Sequence, residues 1–181
     1  FIWQSRRDGW NHLYLYNSDG KLIRQLTKGP WEVLDVKGFD AKGELLFFTS
    51  TIVSPISKNL SSVNVKSGKI KRITSGNMVH NTLLSDDGAA CLDIYSSPDI
   101  PRVINYVQVK SGATKNLLTA ADPLKEYSRG EMKIFTIKNK VGDDLYCRLF
   151  KPANFDSTKK YPVIVYWYGG PHAQMITNAW N

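Results

Sequence analysis

Short runs in which apolar and polar residues alternate, broken by turns that close on glycine, fill the first 119 positions of the chain. Three stretches share one shape: a strand, a turn ending in Gly, a second strand, then a Leu/Ile-Thr pair. They are Leu13–Thr27 around Asp19-Gly20, Val63–Thr74 around Ser67-Gly68, and Tyr106–Thr119 around Ser111-Gly112. Asp-Gly and Ser-Gly between alternating residues predict hairpins, because glycine accepts the positive φ of a tight turn. The turn glycines lie 48 and 44 residues apart, and the threonines 47 and 45. A second series falls between them. Val33–Phe39 and Glu44–Ser50 flank Asp40–Gly43, Val79–Leu84 and Ala89–Tyr95 flank Ser85–Gly88, and the two glycines are 45 residues apart.

Each period thus holds four strands, the content of one β-propeller blade, with a length in the range of about 40–50 residues expected of such repeats. A sandwich with accidental regularity is the competing reading; the agreement of two independent turn series argues against it. Two complete blades are predicted, Val33–Thr74 and Val79–Thr119, preceded by the back half of another in Phe1–Thr27. A propeller closes with about 4–8 blades, so residues 1–124 read as its C-terminal part, two and a half blades long.

Beyond Thr119 the pattern changes. Ala120–Tyr127 reads as a linker, and Glu131–Lys138 and Asp144–Phe150 as a hairpin around Asn139–Asp143. After a polar connection, Lys151–Lys160, comes the run Tyr161-Pro-Val-Ile-Val-Tyr-Trp-Tyr168. A continuous apolar, β-branched run predicts a strand buried on both faces. It breaks into Gly169-Gly170-Pro171-His172, where glycines admit close backbone approach and proline forces a sharp turn. In hydrolases of the α/β class, such a loop after a buried strand builds the oxyanion pocket. The expected fold is therefore mainly β: the last blades of a β-propeller, built of four-stranded antiparallel repeats, followed over residues 125–181 by the first strands of an α/β-hydrolase domain.

Composition narrows the partners. The 181 residues are 42% hydrophobic with a mean hydropathy of −0.31, and five Trp, nine Tyr and seven Phe favour strands over disorder. The net charge of +8 raises the question of nucleic acid or an anionic membrane. The densest basic set, Lys58, Lys66, Lys69, Lys71 and Arg72, surrounds an apparent hairpin and reads as solvated, edge-protecting strand faces. With no recognition helix or RNA-binding signature, no nucleic-acid partner is expected. Cys91 and Cys147 stand 56 residues apart, outside any C-x-x-C pair, and read as two lone, buried thiols. His12 and His80 read as buried or loop hydrogen-bonding residues, and their spacing predicts no metal site; no cofactor is expected. Trp31-Glu32 reads as packing with a polar outer residue. There is no apolar run of 18 residues, and the start at Phe1 suggests a true N-terminus elsewhere.

The segment Lys151-Pro-x-x-Phe155-Asp156, continued by Lys159-Lys160-Tyr161-Pro-Val-Ile-Val-Tyr-x-Tyr168-Gly-Gly-Pro-His-Ala-Gln174, resembles the prolyl oligopeptidase clan of serine peptidases. Within it, the chain looks closest to the dipeptidyl peptidase IV family of bacterial type. Arg7-Asp-Gly-Trp-Asn-His12 and Leu26-Thr-Lys-Gly-Pro-Trp31-Glu32-Val33 add to the match. The resemblance implies an exopeptidase that removes N-terminal dipeptides with Pro or Ala in second position. Tyr168 would give its hydroxyl to the oxyanion of the tetrahedral intermediate. Gly169, Gly170 and Pro171 would shape the substrate loop, and His172 and Gln174 would line the cleft. No G-x-S-x-G occurs in the 181 residues, so the nucleophile, its Asp and His, and the acidic residues that hold the substrate ammonium are expected outside them. Asp86 and Asp87 sit in a hairpin turn and do not fill that last role. The chain by itself is predicted to be catalytically inert, a fragment of its parent.

The resemblance further implies peptide substrates, association with the remainder of the parent chain, homodimers of the full-length protein, and a periplasmic, secreted or membrane-anchored location. An acylaminoacyl peptidase, a prolyl endopeptidase and a non-enzymatic propeller module remain alternatives. A G-x-S-x-G about 70–90 residues past Asn181 would separate enzyme from module. An open set of blades also predicts unpaired edges and faces that call for a covering surface.

Overall fold

A computed structural model describes residues 1–170 and 173–180. The chain divides into two compact units, one comprising Phe1–Ala121 with the segment from Asn178 onward, the other Asp122–Thr177.

The first unit is three antiparallel sheets in which spatial order follows chain order. Sheet 1 holds β1 (Ile2–Ser5), β2 (His12–Tyr16) and β3 (Leu22–Gln25). Sheet 2 holds β4 (Val33–Phe39), β5 (Leu45–Ser50), β6 (Asn59–Asn64) and β7 (Ile70–Arg72). Sheet 3 holds β8 (Val79–Leu84), β9 (Ala90–Ser97), β10 (Ile100–Gln108) and β11 (Thr114–Thr119). Sheets 2 and 3 are the two four-stranded repeats read from the turn series. The first repeat has three strands rather than a back half, since Ile2–Ser5 pairs with β2 from Ile2↔Leu15 to Ser5↔His12. The five turn glycines all have φ between 66° and 78°.

Sheet 2 lies between the other two, which explains why β5 is a continuous apolar run rather than an alternating one. Leu46 and Phe48 join Leu13, Leu26, Trp31, Val33 and Val63 in one cluster, while Phe47 joins Leu60, Cys91, Val107 and Val109 in the other. Neighbours in sequence therefore serve opposite faces. Gly88, at φ +69°, lets the sheet 3 turn sit against Phe47; a Cβ there would lie 2.6 Å from the Phe47 ring and 3.0 Å from Asp40 Cα. The far face of sheet 3 has no cover among the described residues, and Leu83 is 62% exposed there, with Tyr106 and Leu118 also open.

Side chains clip each sheet to the next. Arg24 of β3 donates to Lys66 O. Lys71 of β7, 47 residues on, donates to Val109 O at 3.1 Å and Lys110 O at 3.3 Å. Lys58 is half-buried and donates to Asn81 Oδ1 at 2.5 Å, and burial lowers its pKa from the ordinary lysine value. The basic set is thus not simply a solvated face: two of its members tie loops and strands together.

The repeated threonines have a specific task. Thr27 Oγ1 accepts from Leu13 N, and Thr74 Oγ1 from Leu60 N, each at 2.9 Å. Both are buried, so each hydroxyl satisfies a backbone donor that the outer strand no longer reaches. Thr119 instead pairs with Val103 at the end of β11 and is exposed.

Cys91 is 2% exposed in the second cluster, while Cys147 is only partly buried; both are free thiols. Burial, aided by the Asp93 carboxylate, pushes the Cys91 thiol up to about 11. Thiolate is the reactive form, so brief iodoacetamide treatment at pH 8 is expected to label Cys147 and leave Cys91 unmodified until denaturant is added. Peptide mapping by mass spectrometry would read this, and equal labelling of both in the native protein would contradict it.

The second unit carries β12 (Met132–Lys138) and β13 (Asp144–Phe150), paired from Met132↔Phe150 to Lys138↔Asp144 around Gly142. Glu131 and Lys151 close the open end of the hairpin at 2.7 Å, and the ammonium holds the Glu131 carboxyl below its ordinary pKa. Arg148 donates to Thr177 O, and burial lowers the guanidinium's pKa.

The run Tyr161–Tyr168 departs from the expected buried strand. It is neither paired nor covered: Val163 is 77% and Ile164 96% exposed, and residues 161–170 carry no strand assignment. An apolar run supplies the faces of a strand, but a strand also needs backbone partners. Among the described residues none is hydrogen-bonded to it as a strand. The expected opening of an α/β sheet is therefore not formed here.

Candidate functional site

Tyr168 stands at the end of this exposed run, itself 60% exposed. Its ring turns back over the backbone of Gly170: a Cβ on that glycine would fall 2.5 Å from both Cζ and Oη of the phenol. Any side chain at position 170 would displace the tyrosine. Gly169 is less constrained, with Trp167 Cζ3 at 3.4 Å from a built Cβ. The second glycine is what allows the hydroxyl to lie against main chain. Gln174 spends its amide locally, donating to Ile176 O at 2.9 Å. Pro171 and His172 lie outside the described residues. Tyr161, at the start of the run, accepts from Asp156 N at 3.0 Å and stacks on Phe155 with centroids 5.2 Å apart.

The described residues hold two histidine constellations in the first unit. His12 is buried, with Nδ1 3.0 Å from Thr27 Oγ1 and Nε2 3.0 Å from Gly29 O, and its ring meets Trp31 edge-on at 4.9 Å. The carbonyl acceptor makes Nε2 the donor, so Nδ1 accepts the threonine proton. Every polar atom of the ring is thereby committed to structure. His80 is also buried and donates from Nδ1 to Asp93 at 2.8 Å and 3.0 Å. An imidazole oriented by a carboxylate matches two-thirds of a hydrolytic triad. Its Nε2, however, has no hydrogen-bond partner, so no hydroxyl nucleophile is engaged. The order His then Asp also differs from the Ser, Asp, His order of α/β hydrolases. This pair braces β8 against β9, where Thr82 faces Asp93 in register.

The sequence reading missed Asp93 altogether. It also missed that Asn59 repeats the duty of His12. Asn59 Nδ2 donates to Gly76 O at 3.2 Å and to Thr74 Oγ1 at 3.4 Å. Residues 59, 74 and 76 each follow 12, 27 and 29 by 47 positions, so the threonine spacing already carried that signal. A cleft of about 600 Å³ between sheets 1 and 2 is lined by Arg24, Gln25, Leu26, Lys28, Ser67, Gly68 and Ile70. Its one hydroxyl, Ser67, donates to Asn64 Oδ1, and no base accompanies it. Among the described residues, no group of three His, Cys, Asp or Glu side chains is arranged to hold a metal ion, and no helix is long and apolar enough to cross a membrane.

Consecutive antiparallel sheets that bury each other's faces, with a repeat near 47 residues, define a protein of the β-propeller type. A family model described as the dipeptidyl peptidase IV (DPP IV) N-terminal region matches residues 1–102. The chain belongs to the dipeptidyl peptidase IV family. Dipeptidyl peptidase 4 of the fungus Trichophyton equinum is 33% identical over 98% of the chain. Among solved structures, a Bacteroides ovatus protein assigned as a dipeptidyl aminopeptidase IV is 41% identical, with a TM-score of 0.90 over 99% of this chain and 28% of that one. Porphyromonas gingivalis dipeptidyl peptidase 4 is 29% identical, with a TM-score of 0.87 over all of this chain and 26% of that one. The chain spans about a quarter of the length of the curated relatives it matches (24%).

Proposed function

We propose that the chain is a segment of a serine exopeptidase of bacterial type that releases N-terminal dipeptides with Pro or Ala in second position. Residues 1–124 contribute the last propeller blades, and residues 125–181 begin the catalytic α/β-hydrolase domain. The observation that carries this reading is the Tyr168-Gly169-Gly170 corner, where the absence of a Cβ at Gly170 lets the phenol hydroxyl lie on the backbone. A hydroxyl presented at such a corner suits the oxyanion of a tetrahedral intermediate, and a donor placed there contributes about 3–4 kcal/mol to the transition state. Membership in the dipeptidyl peptidase IV family and the higher identity to the Bacteroides ovatus protein support the substrate class and the bacterial type.

In this reading Tyr168 acts only beside a nucleophile that the 181 residues do not include, since they contain no G-x-S-x-G. The substrates are peptides, and the full-length protein is a homodimer. A fluorogenic Xaa-Pro substrate tests the assignment. Turnover by the full-length protein, abolished by a serine-directed inhibitor, is the expected result, together with no turnover by the 181-residue chain. Inhibitor-sensitive turnover by the short chain, or an inert full-length protein, would overturn it.

A further inference from the structure

Sheet 2 buries three oxygens that have no hydrogen-bond partner among the described residues: Ser50 Oγ, Asn59 Oδ1 and Ser61 Oγ. All three residues are fully buried. Register brings them together. Ser50 of β5 stands directly opposite Asn59 of β6, and antiparallel partners on one face hold their Cβ atoms about 4.5–5.5 Å apart. Ser61 follows Asn59 by two residues along β6 and so shares its face. Val33 of β4 lies beside Ser50, and Phe48 lies opposite Ser61. Both belong to the apolar cluster shared with sheet 1. The three oxygens thus form a polar island at one end of an apolar face.

The carboxamide has no alternative orientation that relieves it. Asn59 Nδ2 donates to Gly76 O at 3.2 Å. A carbonyl only accepts, so turning the amide over would set oxygen against oxygen. The corresponding positions of sheet 1 are satisfied. His12, 47 residues before Asn59, engages both ring nitrogens with Thr27 and Gly29. Ser5 stands opposite His12 as Ser50 does opposite Asn59, and it accepts from Arg7 Nε at 3.2 Å. Tyr14, 47 residues before Ser61, accepts from Gln25 Nε2 at 3.2 Å. The unsatisfied set is therefore particular to sheet 2 and not a habit of the repeat.

We propose that Ser50, Asn59 and Ser61 form a binding site for one structural water. Water donates to Asn59 Oδ1, and its second hydrogen and lone pairs match the two hydroxyls, each of which donates or accepts as it rotates. About three partners is the usual number for a buried water, whereas three buried oxygens left dry would each bear the full loss of solvation. The location gives this water a task. Asn59 also meets Thr74 and Gly76. Beside it Lys58 and Val79 bridge in parallel, with Lys58 N donating to Met78 O and His80 N donating to Lys58 O. A water on Oδ1 holds the carboxamide that ties β6 to the β7–β8 connection, and so steadies the step from sheet 2 to sheet 3. This site is independent of the serine-peptidase reading.

Two experiments on the full-length protein test it. A crystal structure at a resolution that shows ordered solvent should hold one water within hydrogen-bond distance of all three oxygens. No water there, or a direct bond between Ser50 and Asn59, overturns the proposal. Hydrogen exchange reads what the water does. Ser50→Ala and Ser61→Ala should each speed exchange of the β5 and β6 amides about 2- to 10-fold, the net contribution of one hydrogen bond. Idle hydroxyls require the opposite sign, because removing an unsatisfied buried polar group is neutral or stabilising. Unaltered or slower exchange in these variants therefore overturns the proposal. In the double variant the acceleration should fall short of the product of the two, since both hydroxyls hold the same water. A full product would mean separate effects of the two alanines on their strands, and would overturn the shared site.

Discussion

Replacing Tyr168 by Phe in the full-length protein is expected to lower kcat for an Xaa-Pro anilide about 100- to 1000-fold, the cost of removing one oxyanion donor. KM should barely change, because the hydroxyl is asked to bind charge that exists only in the transition state. The substitution keeps the ring, which packs over Gly170, so the corner retains its shape and the loss reports the hydroxyl alone. Gly170→Ala provides the complementary case. The hydroxyl remains, but a Cβ would collide with the phenol, and kcat should fall through displacement. Steady-state kinetics with a circular-dichroism check of folding decide both. A Tyr168→Phe enzyme with unaltered kcat would remove Tyr168 from the chemistry.

The largest effect on stability is expected at Phe47. Its side chain is fully buried and completes the cluster of Leu60, Cys91, Val107 and Val109 that joins sheets 2 and 3. Phe47→Ala should lower the unfolding free energy by about 3–5 kcal/mol, the sum of lost burial and the cavity left behind. The cavity will not close readily, because Leu60, Cys91 and Val107 belong to β6, β9 and β10, which their own ladders hold in place. A comparison substitution, Val163→Ser at a position 77% exposed, should change stability by less than about 0.5 kcal/mol. Urea denaturation followed by circular dichroism measures both, and equal effects would contradict the packing described for β5.

Most of the first unit could be read from the chain because its signals are local. Gly20, Gly43, Gly68, Gly88 and Gly112 mark turns that need positive φ wherever they occur, and the strands between them follow. The run Tyr161–Tyr168 misled because its partners are not local. Its apolar residues record a demand for burial, whereas pairing depends on strands the sequence pattern does not contain. Asp93 escaped notice for a related reason: a single carboxylate in an alternating strand looks like an outward-facing residue until His80 is seen hydrogen-bonded to it from the neighbouring strand. At the corner itself, the residue types were legible and the close approach was not. Two glycines announced that backbone would come near something, and the structure shows that for Gly170 the something is Tyr168 itself.

The pair of triads His12-Thr27-Gly29 and Asn59-Thr74-Gly76 has a consequence for how such repeats diverge. An imidazole and a carboxamide share little chemistry as letters in a sequence, yet each presents an N–H to the corresponding glycine carbonyl of its repeat and meets the corresponding threonine hydroxyl. What the two repeats share is the set of partners, a glycine carbonyl and a threonine hydroxyl, while the direction of the threonine bond differs: His12 accepts from Thr27 and Asn59 donates to Thr74. Internal likeness in this fold is therefore better traced through its bonding partners than through residue identity.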